Sequence, residues 1–332
     1  MMINRVLFYN SGGGIGDAIQ MLPLINTLMS ELKNAKFYYL SAHENHFNST
    51  LKELNSRIET LDLKIKYFGF RWWHALIVKK KFKRQNIESF DLILDLQSKI
   101  RNSLILKMIP HKYFISTCFN FKLSTPNLNI KKENKIDKTI LNAVNILLNK
   151  NYQFSEYNLN KIHKKFHLES EKLLPKKNYV GLSITQGNIY RKKEWPLENV
   201  IKISNKLLEN NKIPVFFIDK KNFQLKNKIS EVVSNALFPE HTSELSCPAL
   251  VACLGKRLDF AISIDNGVMH MLSLSKVPMI TLFGPTDSGK FAPEYKGSII
   301  LDSKELYNTK NVSTITVEDV LKAAKRYLSF SY

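Results

Sequence analysis

The stretch Arg5-Val6-Leu7-Phe8-Tyr9-Asn10-Ser11-Gly12-Gly13-Gly14-Ile15-Gly16-Asp17 decides how this 332-residue chain is read. Its first six residues, with Val6 to Tyr9 apolar and a glycine-rich turn after them, read as a buried first strand. The glycines let backbone approach a ligand closely, and a helix opening there favours anions. Beyond it, Ile15, Ile19, Leu22, Ile25, Met29 and Leu32 recur at spacings of three and four. That spacing predicts a one-sided helix, which Pro23 should kink or delay. A dinucleotide fingerprint requires Gly-x-Gly-x-x-Gly, and counting from Gly12 the sixth position is Asp17. A carboxylate there would repel a pyrophosphate, which argues against a nicotinamide dinucleotide. Asp17 keeps two readings, a helix N-cap or a catalytic base.

Outward from this stretch, strands and helices alternate. Residues 37–40, 92–96 and 113–116 read as strands and 140–147 as a helix, with a polar loop at 119–135. A second polar stretch, 149–177, reads as an inter-domain connection. The pattern then restarts: strand 179–184, helix 200–208, strand 214–218, helix 245–254, strand 259–264, helix opening 265–274, strand 278–283 and amphipathic helix 317–327. Such alternation predicts βαβ units and parallel sheets. The expected architecture is α/β, two Rossmann-like domains at 1–170 and 171–332 facing a central cleft at the carboxyl ends of their strands.

Lys and Arg number 49 against 29 Asp and Glu, a formal charge of +20. The excess attracts polyanions, although a chain this rich in Asn, Lys and Ile owes part of it to composition. A nucleic-acid-binding protein is the rival of a different class, but no recognition helix, zinc module or aromatic RNA motif is found. Cys118, Cys247 and Cys253 lack metal-ligand spacing and read as small buried hydrophobes. No apolar run reaches the ~18 residues of a membrane-spanning helix, and the first residues lack a signal peptide, so a cytoplasmic location is expected. At 70–84, Trp72 and Trp73 precede Lys79, Lys80, Lys81, Lys83 and Arg84. This reads either as peripheral contact with anionic lipid or as a helix with a tryptophan in the core and a solvated basic face.

Three constellations in the second half carry chemistry. Asp259 to His270 places Asp265, Asn266 and Gly267 where a strand ends and a helix opens. Phosphates suit the N–H groups there and sugar hydroxyls suit Asp265. His270 falls in the same first turn, though a lone helix histidine is usually structural. Leu282 to Lys290 carries Gly284-Pro285-Thr286, a turn or a further source of donors. Arg191-Lys192-Lys193-Glu194-Trp195-Pro196 is a solvated basic loop or a cation for a departing diphosphate, with Pro196 suited to a helix start.

Taken together these segments resemble glycosyltransferase family 9, the ADP-heptose heptosyltransferases. The matches are Gly-x-Gly-Asp17 with Pro23, Phe90-Asp91 through Asp95-x-Gln97 with Arg101, and Lys193-Glu194-Trp195-Pro196. The most specific runs from Thr242 through Asp265-x-Gly-x-Met-His270 to Phe283-Gly284-Pro285-Thr286, and the resemblance covers about residues 5 to 300 in order. It implies a GT-B fold and an inverting transfer by direct displacement, with no cofactor and no strictly required metal. Asp17 would be the base, on an acceptor-side loop holding Gly14 and Gly16. Lys193 would hold the donor diphosphate with Thr185 near it, and Asp265 would meet sugar hydroxyls. Asn266, Gly267 and Val268 would offer N–H groups to phosphate. His270 would line the donor site, with Thr242, Ser243 and Leu245 beside the nucleobase. The implied partners are ADP-heptose and a lipopolysaccharide core acceptor; a related transferase using another nucleotide sugar for capsule or O-antigen is the alternative. As GT-B tails do, helix 317–327 is expected to cross back to the N-terminal half. Asn266 departs from the family's Thr or Ser, as do Met271 to Lys276 and Ser288-Gly289 from its usual residues, which bears on donor identity.

Overall fold

A computed structural model describes residues 2–187 and 189–328. The chain divides into two compact units, 1–157 and 158–332. In the first, β1 (Arg5–Asn10), β2 (Lys36–Ser41), β3 (Ile58–Thr60), β4 (Phe90–Asp95) and β5 (His111–Ile115) form a parallel sheet of order β3-β2-β1-β4-β5. Val6, Leu7, Phe8 and Tyr9 of β1 are fully buried, as a central strand covered on both faces requires. The order reverses between β1 and β4, so the loops after these two strands flank the crevice where α/β sheets bind ligands. The helix expected after β1 comes in two pieces, Ile15–Ile19 and Leu22–Glu31, with Pro23 in the first turn of the second.

In the second unit, β6 (Tyr179–Ser183), β7 (Ile213–Phe216), β8 (Leu258–Ile264), β9 (Met279–Phe283) and β10 (Ser298–Asp302) form a parallel sheet of order β10-β9-β8-β6-β7. Here the reversal lies between β6 and β8. Helix Leu197–Glu209 turns Val200, Ile203 and Leu207 into the core that Leu182, Phe216, Ile262 and Ile280 supply from the strands.

Two expectations about organisation change. The boundary placed at residue 170 lies earlier, at 157/158. Helix Lys164–Leu173, in a stretch that reads as polar linker, buries Phe166 and Ser170 and packs on helix Pro248–Gly255 of the second unit. The terminal helix Val317–Leu328 packs on helix Leu197–Glu209, β9 and β10. Its apolar stripe, Val317, Val320 and Ala324, belongs to its own unit's core. Strands β3 and β10 have no counterpart among the predicted ones, because Ile-Glu-Thr is too short and β10 is only partly buried.

The turn after β9 leaves no room for a side chain. A Cβ on Gly284 would lie 2.8 Å from the Val312 amide nitrogen and 2.9 Å from the Lys310 carbonyl oxygen. Gly284→Ala is therefore expected to destabilise the protein by about 1–3 kcal/mol, the range for overpacking. Urea unfolding checks this, and unchanged stability would mean that residues 310–312 give way at little cost.

Candidate active site

The carboxyl ends of β6 and β8 are joined by side chains from both loops. Lys193 forms an ion pair with the Asp265 carboxylate, and its Nζ lies 3.4 Å from the Asp265 carbonyl oxygen. The two side chains are 11% and 7% exposed, so a full positive and a full negative charge sit nearly out of water. Such a pair persists because either charge alone would be costly to bury. The loop bearing Lys193 is fixed at two points. The Lys193 amide donates to Gln186 Oε1 at 2.8 Å, and the Trp195 indole N–H donates to the Ile315 carbonyl at 2.8 Å from within the core. Pro196 then caps helix Leu197–Glu209.

Asn266 completes the join. Its Oδ1 accepts from the Met269 amide at 2.9 Å and caps helix Gly267–Ser273. Its Nδ2 donates to Ser183 Oγ at 2.7 Å and to the Thr185 carbonyl at 2.9 Å. Gly267 and Val268 occupy the first turn beside this cap. His270 is buried one turn on, with its carbonyl accepting from Ser273 Oγ at 2.7 Å. Thr286, after β9, has a buried hydroxyl with no hydrogen-bond partner among the described residues.

The stretch at 242–245 is differently employed. Ser243 is buried, and its hydroxyl donates to Glu169 Oε1 at 2.7 Å while accepting from the Leu245 amide at 3.1 Å. The hydroxyl of Thr242, an exposed residue, donates to the Phe238 carbonyl at 3.1 Å. No hydrogen bond described for Thr242, Ser243 or Leu245 reaches Lys193 or Asp265.

In the first unit, Asp17 is half-buried at the third position of helix Ile15–Ile19. The N-cap is Gly14, so the N-cap reading of Asp17 is corrected: its Oδ2 reaches back to accept from the Gly14 amide at 3.2 Å. Asn10, at the end of β1, holds the loop from both sides: its Oδ1 accepts from Gly12 N–H at 2.8 Å and its Nδ2 donates to the Asp17 carbonyl at 3.1 Å. Glycine is required at 12, because a Cβ there would lie 2.7 Å from the Asp17 side chain. Gly16 lies beside Asp17 in the same helix. A cavity of about 880 Å³ opens next to this loop, lined among others by Gly13, Ser41, His43, Lys64 and Tyr67. Among the described residues, no group of three or more His, Cys, Asp or Glu is placed to hold a metal.

Residues 78–321 match the family model described as Glycosyltransferase family 9 (heptosyltransferase). The chain belongs to glycosyltransferase family 9. It is 22% identical to the Lipopolysaccharide heptosyltransferase 1 of Campylobacter coli, over 94% of this chain and 95% of that protein. Among solved structures it is similar to a family 9 glycosyl transferase from Veillonella parvula, with TM-score 0.72, 17% identity and coverage of 99% of this chain and 98% of the other. It is also similar to the E. coli heptosyltransferase WaaC with ADP, with TM-score 0.71, 14% identity and coverage of 97% and 99%. The fold is GT-B, and the protein is a glycosyltransferase.

Sequence reading missed several groups in this family 9 enzyme. Asp95, at the end of β4, is completely buried and accepts from the Ser103 and Ser116 hydroxyls and the Gln97 and Ser98 amides. Burial pushes its carboxyl above the usual range, opposed by those hydrogen bonds. The resemblance marks Asp95 only as a motif position; its serine partners carry no sequence signal, since they come from a separate helix and the end of a strand. Glu240 and His241 lie in helix Pro239–Thr242, and Glu240 Oε2 and His241 Nε2 are buried without a partner among the described residues. Burial, followed by the neighbouring Asp219 carboxylate, pushes Glu240 up to about 7.

Two predictions follow from these hydrogen bonds and this burial. Asn266→Ala removes a helix cap and leaves Ser183 and Thr185 short of a partner, so stability should fall by about 2–4 kcal/mol. Asn266→Thr, which keeps the cap, should lose less; an alanine variant as stable as wild type in urea would refute the join. Glu240 has a folded-state value above its unfolded one, so folding favours its neutral form. Its stabilising contribution is complete below the ordinary 4.5 and lost as pH rises through about 7. Glu240→Gln should thus flatten the decline of the thermal midpoint across that window, and parallel wild-type and variant curves would rule the effect out.

Proposed function

We propose that this enzyme transfers a heptose from ADP-heptose to a lipopolysaccharide core acceptor, inverting the anomeric centre in one displacement. The observation that carries the reading is the buried Lys193–Asp265 pair at the switch point of the second sheet, beside a helix opened by Asn266 and Gly267. A cation, a carboxylate and a row of first-turn N–H groups at one place match the parts of a nucleotide-diphosphate sugar. Two named relatives support the donor and acceptor classes: the Campylobacter coli lipopolysaccharide heptosyltransferase, and the E. coli heptosyltransferase solved with ADP and with ADP-2-deoxy-2-fluoro heptose.

In this reading Asp17 takes the proton of the acceptor hydroxyl, and that oxygen attacks the anomeric carbon as its bond to the diphosphate breaks. The acceptor rests near Gly14 and Gly16. Lys193 neutralises the charge that develops on the departing ADP, helped by the amides of Asn266, Gly267 and Val268, with Thr185 nearby. Asp265 accepts from sugar hydroxyls, and His270 lines the donor pocket. Thr242, Ser243 and Leu245 shape the wall against the nucleobase; Ser243 does so through its loop, because its hydroxyl is engaged by Glu169. The unpartnered Thr286 hydroxyl is placed after β9, next to β8, and offers one further donor. An acceptor held in the inner membrane puts the reaction in the cytoplasm, on that membrane's inner face.

Asp17→Ala should lower turnover by about 10²–10⁴-fold with ADP binding nearly intact, the magnitude of general-base loss. Lys193→Ala should cost about 3–5 kcal/mol of stability, because it strands a buried carboxylate. The double variant Lys193→Ala/Asp265→Ala should recover part of that stability while ADP-sugar binding stays lost. The readouts are calorimetric ADP titration, urea unfolding, and product mass spectrometry over a panel of ADP-, UDP- and GDP-sugars. Full donor affinity in the double variant, or transfer from another nucleotide sugar in preference to ADP-heptose, defeats the reading.

A further inference from the structure

In helix His74–Arg84 of the first unit, the buried residues are His74, Val78 and Phe82. Val78 and Phe82 join the core around Phe68, and His74 Nδ1 accepts the Gly69 amide at 3.1 Å. This fixes the helix and the turn before it to the sheet by one face. Next to that face, Trp72 is 59% exposed, Trp73 55% and Leu76 75%. Large apolar side chains so exposed, three within five residues, are not left over from a core, since the core-facing positions are already filled. The only other tryptophan, Trp195, is buried.

Along the chain, the charge here is of one sign. Between Asp62 and Glu88 the chain carries Lys64, Lys66, Arg71, Lys79, Lys80, Lys81, Lys83 and Arg84 and no acidic residue. Glu88, the first acid beyond, is paired with Arg5 at 2.9 Å. The Arg71 guanidinium lies 5.6 Å from the Trp73 ring centroid, so the cation and the aromatic already share one surface. Lys79, Lys80, Lys83 and Arg84 are exposed, and Lys81 is half-buried.

We propose that Trp72, Trp73 and Leu76, with the basic helix that follows them, form a docking surface for an anionic lipid bilayer. Indole rings partition to the boundary between headgroups and acyl chains, and Leu76 enters beside them. The lysines and Arg84 meet the negative headgroups from a stretch of chain that carries no carboxylate of its own. Among the described residues no helix is long and apolar enough to cross a membrane, so the contact is a surface one. The surface stands on these residues alone; a membrane-held acceptor agrees with it but does not carry it.

The test uses the full-length protein with phosphatidylcholine vesicles, with and without phosphatidylglycerol. Wild type should sediment with the anionic vesicles only, with a blue shift of tryptophan emission, and should be released as salt screens the charges. Changing Lys79, Lys80, Lys81, Lys83 and Arg84 to Gln should weaken partition by about a thousandfold, since each of the five charges contributes about fivefold. Trp72→Ser/Trp73→Ser should abolish the shift, with circular dichroism showing an intact fold. Transfer to a soluble, delipidated acceptor should be unchanged in both variants, which separates this surface from the transferase reaction. Equal sedimentation of wild type and charge variant overturns the proposal. So does self-association through the tryptophans without lipid binding.

Discussion

Much of the second unit is arranged around the burial of one ion pair. Lys193 and Asp265 come from loops 72 positions apart, and both are nearly excluded from water. Their attraction is largely offset by the loss of hydration, so the pair adds less to stability than its geometry suggests. What it provides is position. Neither charge can be left alone in that environment, so the loop after β6 is obliged to meet the end of β8.

The same problem of loops after parallel strands is answered in both units by an asparagine. Asn10 closes the loop after β1 by accepting from Gly12 and donating to the Asp17 carbonyl. Asn266 closes the one after β8 by accepting from Met269 and donating to Ser183 and Thr185. A primary amide has an acceptor and two donors on one rigid plane, whereas a hydroxyl has a single proton to give. This accounts physically for asparagine at 266: the cap alone needs only a hydroxyl, while the bridge to β6 uses both amide protons.

Buried charge is handled differently elsewhere. Asp95 has no cation among its described partners and is surrounded by serines and backbone amides, which solvate it without pairing it. Glu240 Oε2 is buried without a partner among the described residues, and burial pushes its carboxyl up to about 7. The large positive excess of the chain lies mainly outside these sites, on side chains such as those of helix His74–Arg84, where exposure and long stems allow repulsion to be screened by salt.

How much could be read without coordinates follows from the range of the forces involved. Central strands β1, β4, β6, β8 and β9 are legible as apolar runs because burial on both faces leaves them few polar positions, most of them near their ends. Helices with one apolar stripe are legible for the same reason, and Gly12 through Asp17 and Asp265 through His270 declare themselves by glycine and carboxylate at a strand end. The edge strands β3 and β10 and helix Lys164–Leu173 were not legible: their burial is partial and depends on neighbours distant in sequence. The sequence alone also left open where Trp72 and Trp73 face, which residue caps the helix at Asp17, and where the terminal helix packs. Only the tertiary structure decided these, and it alone paired Lys193 with Asp265 and Asn266 with Ser183. Local pattern determines which residues must leave water; which partner each buried polar group finds is settled by the crossing of segments that sequence order keeps far apart.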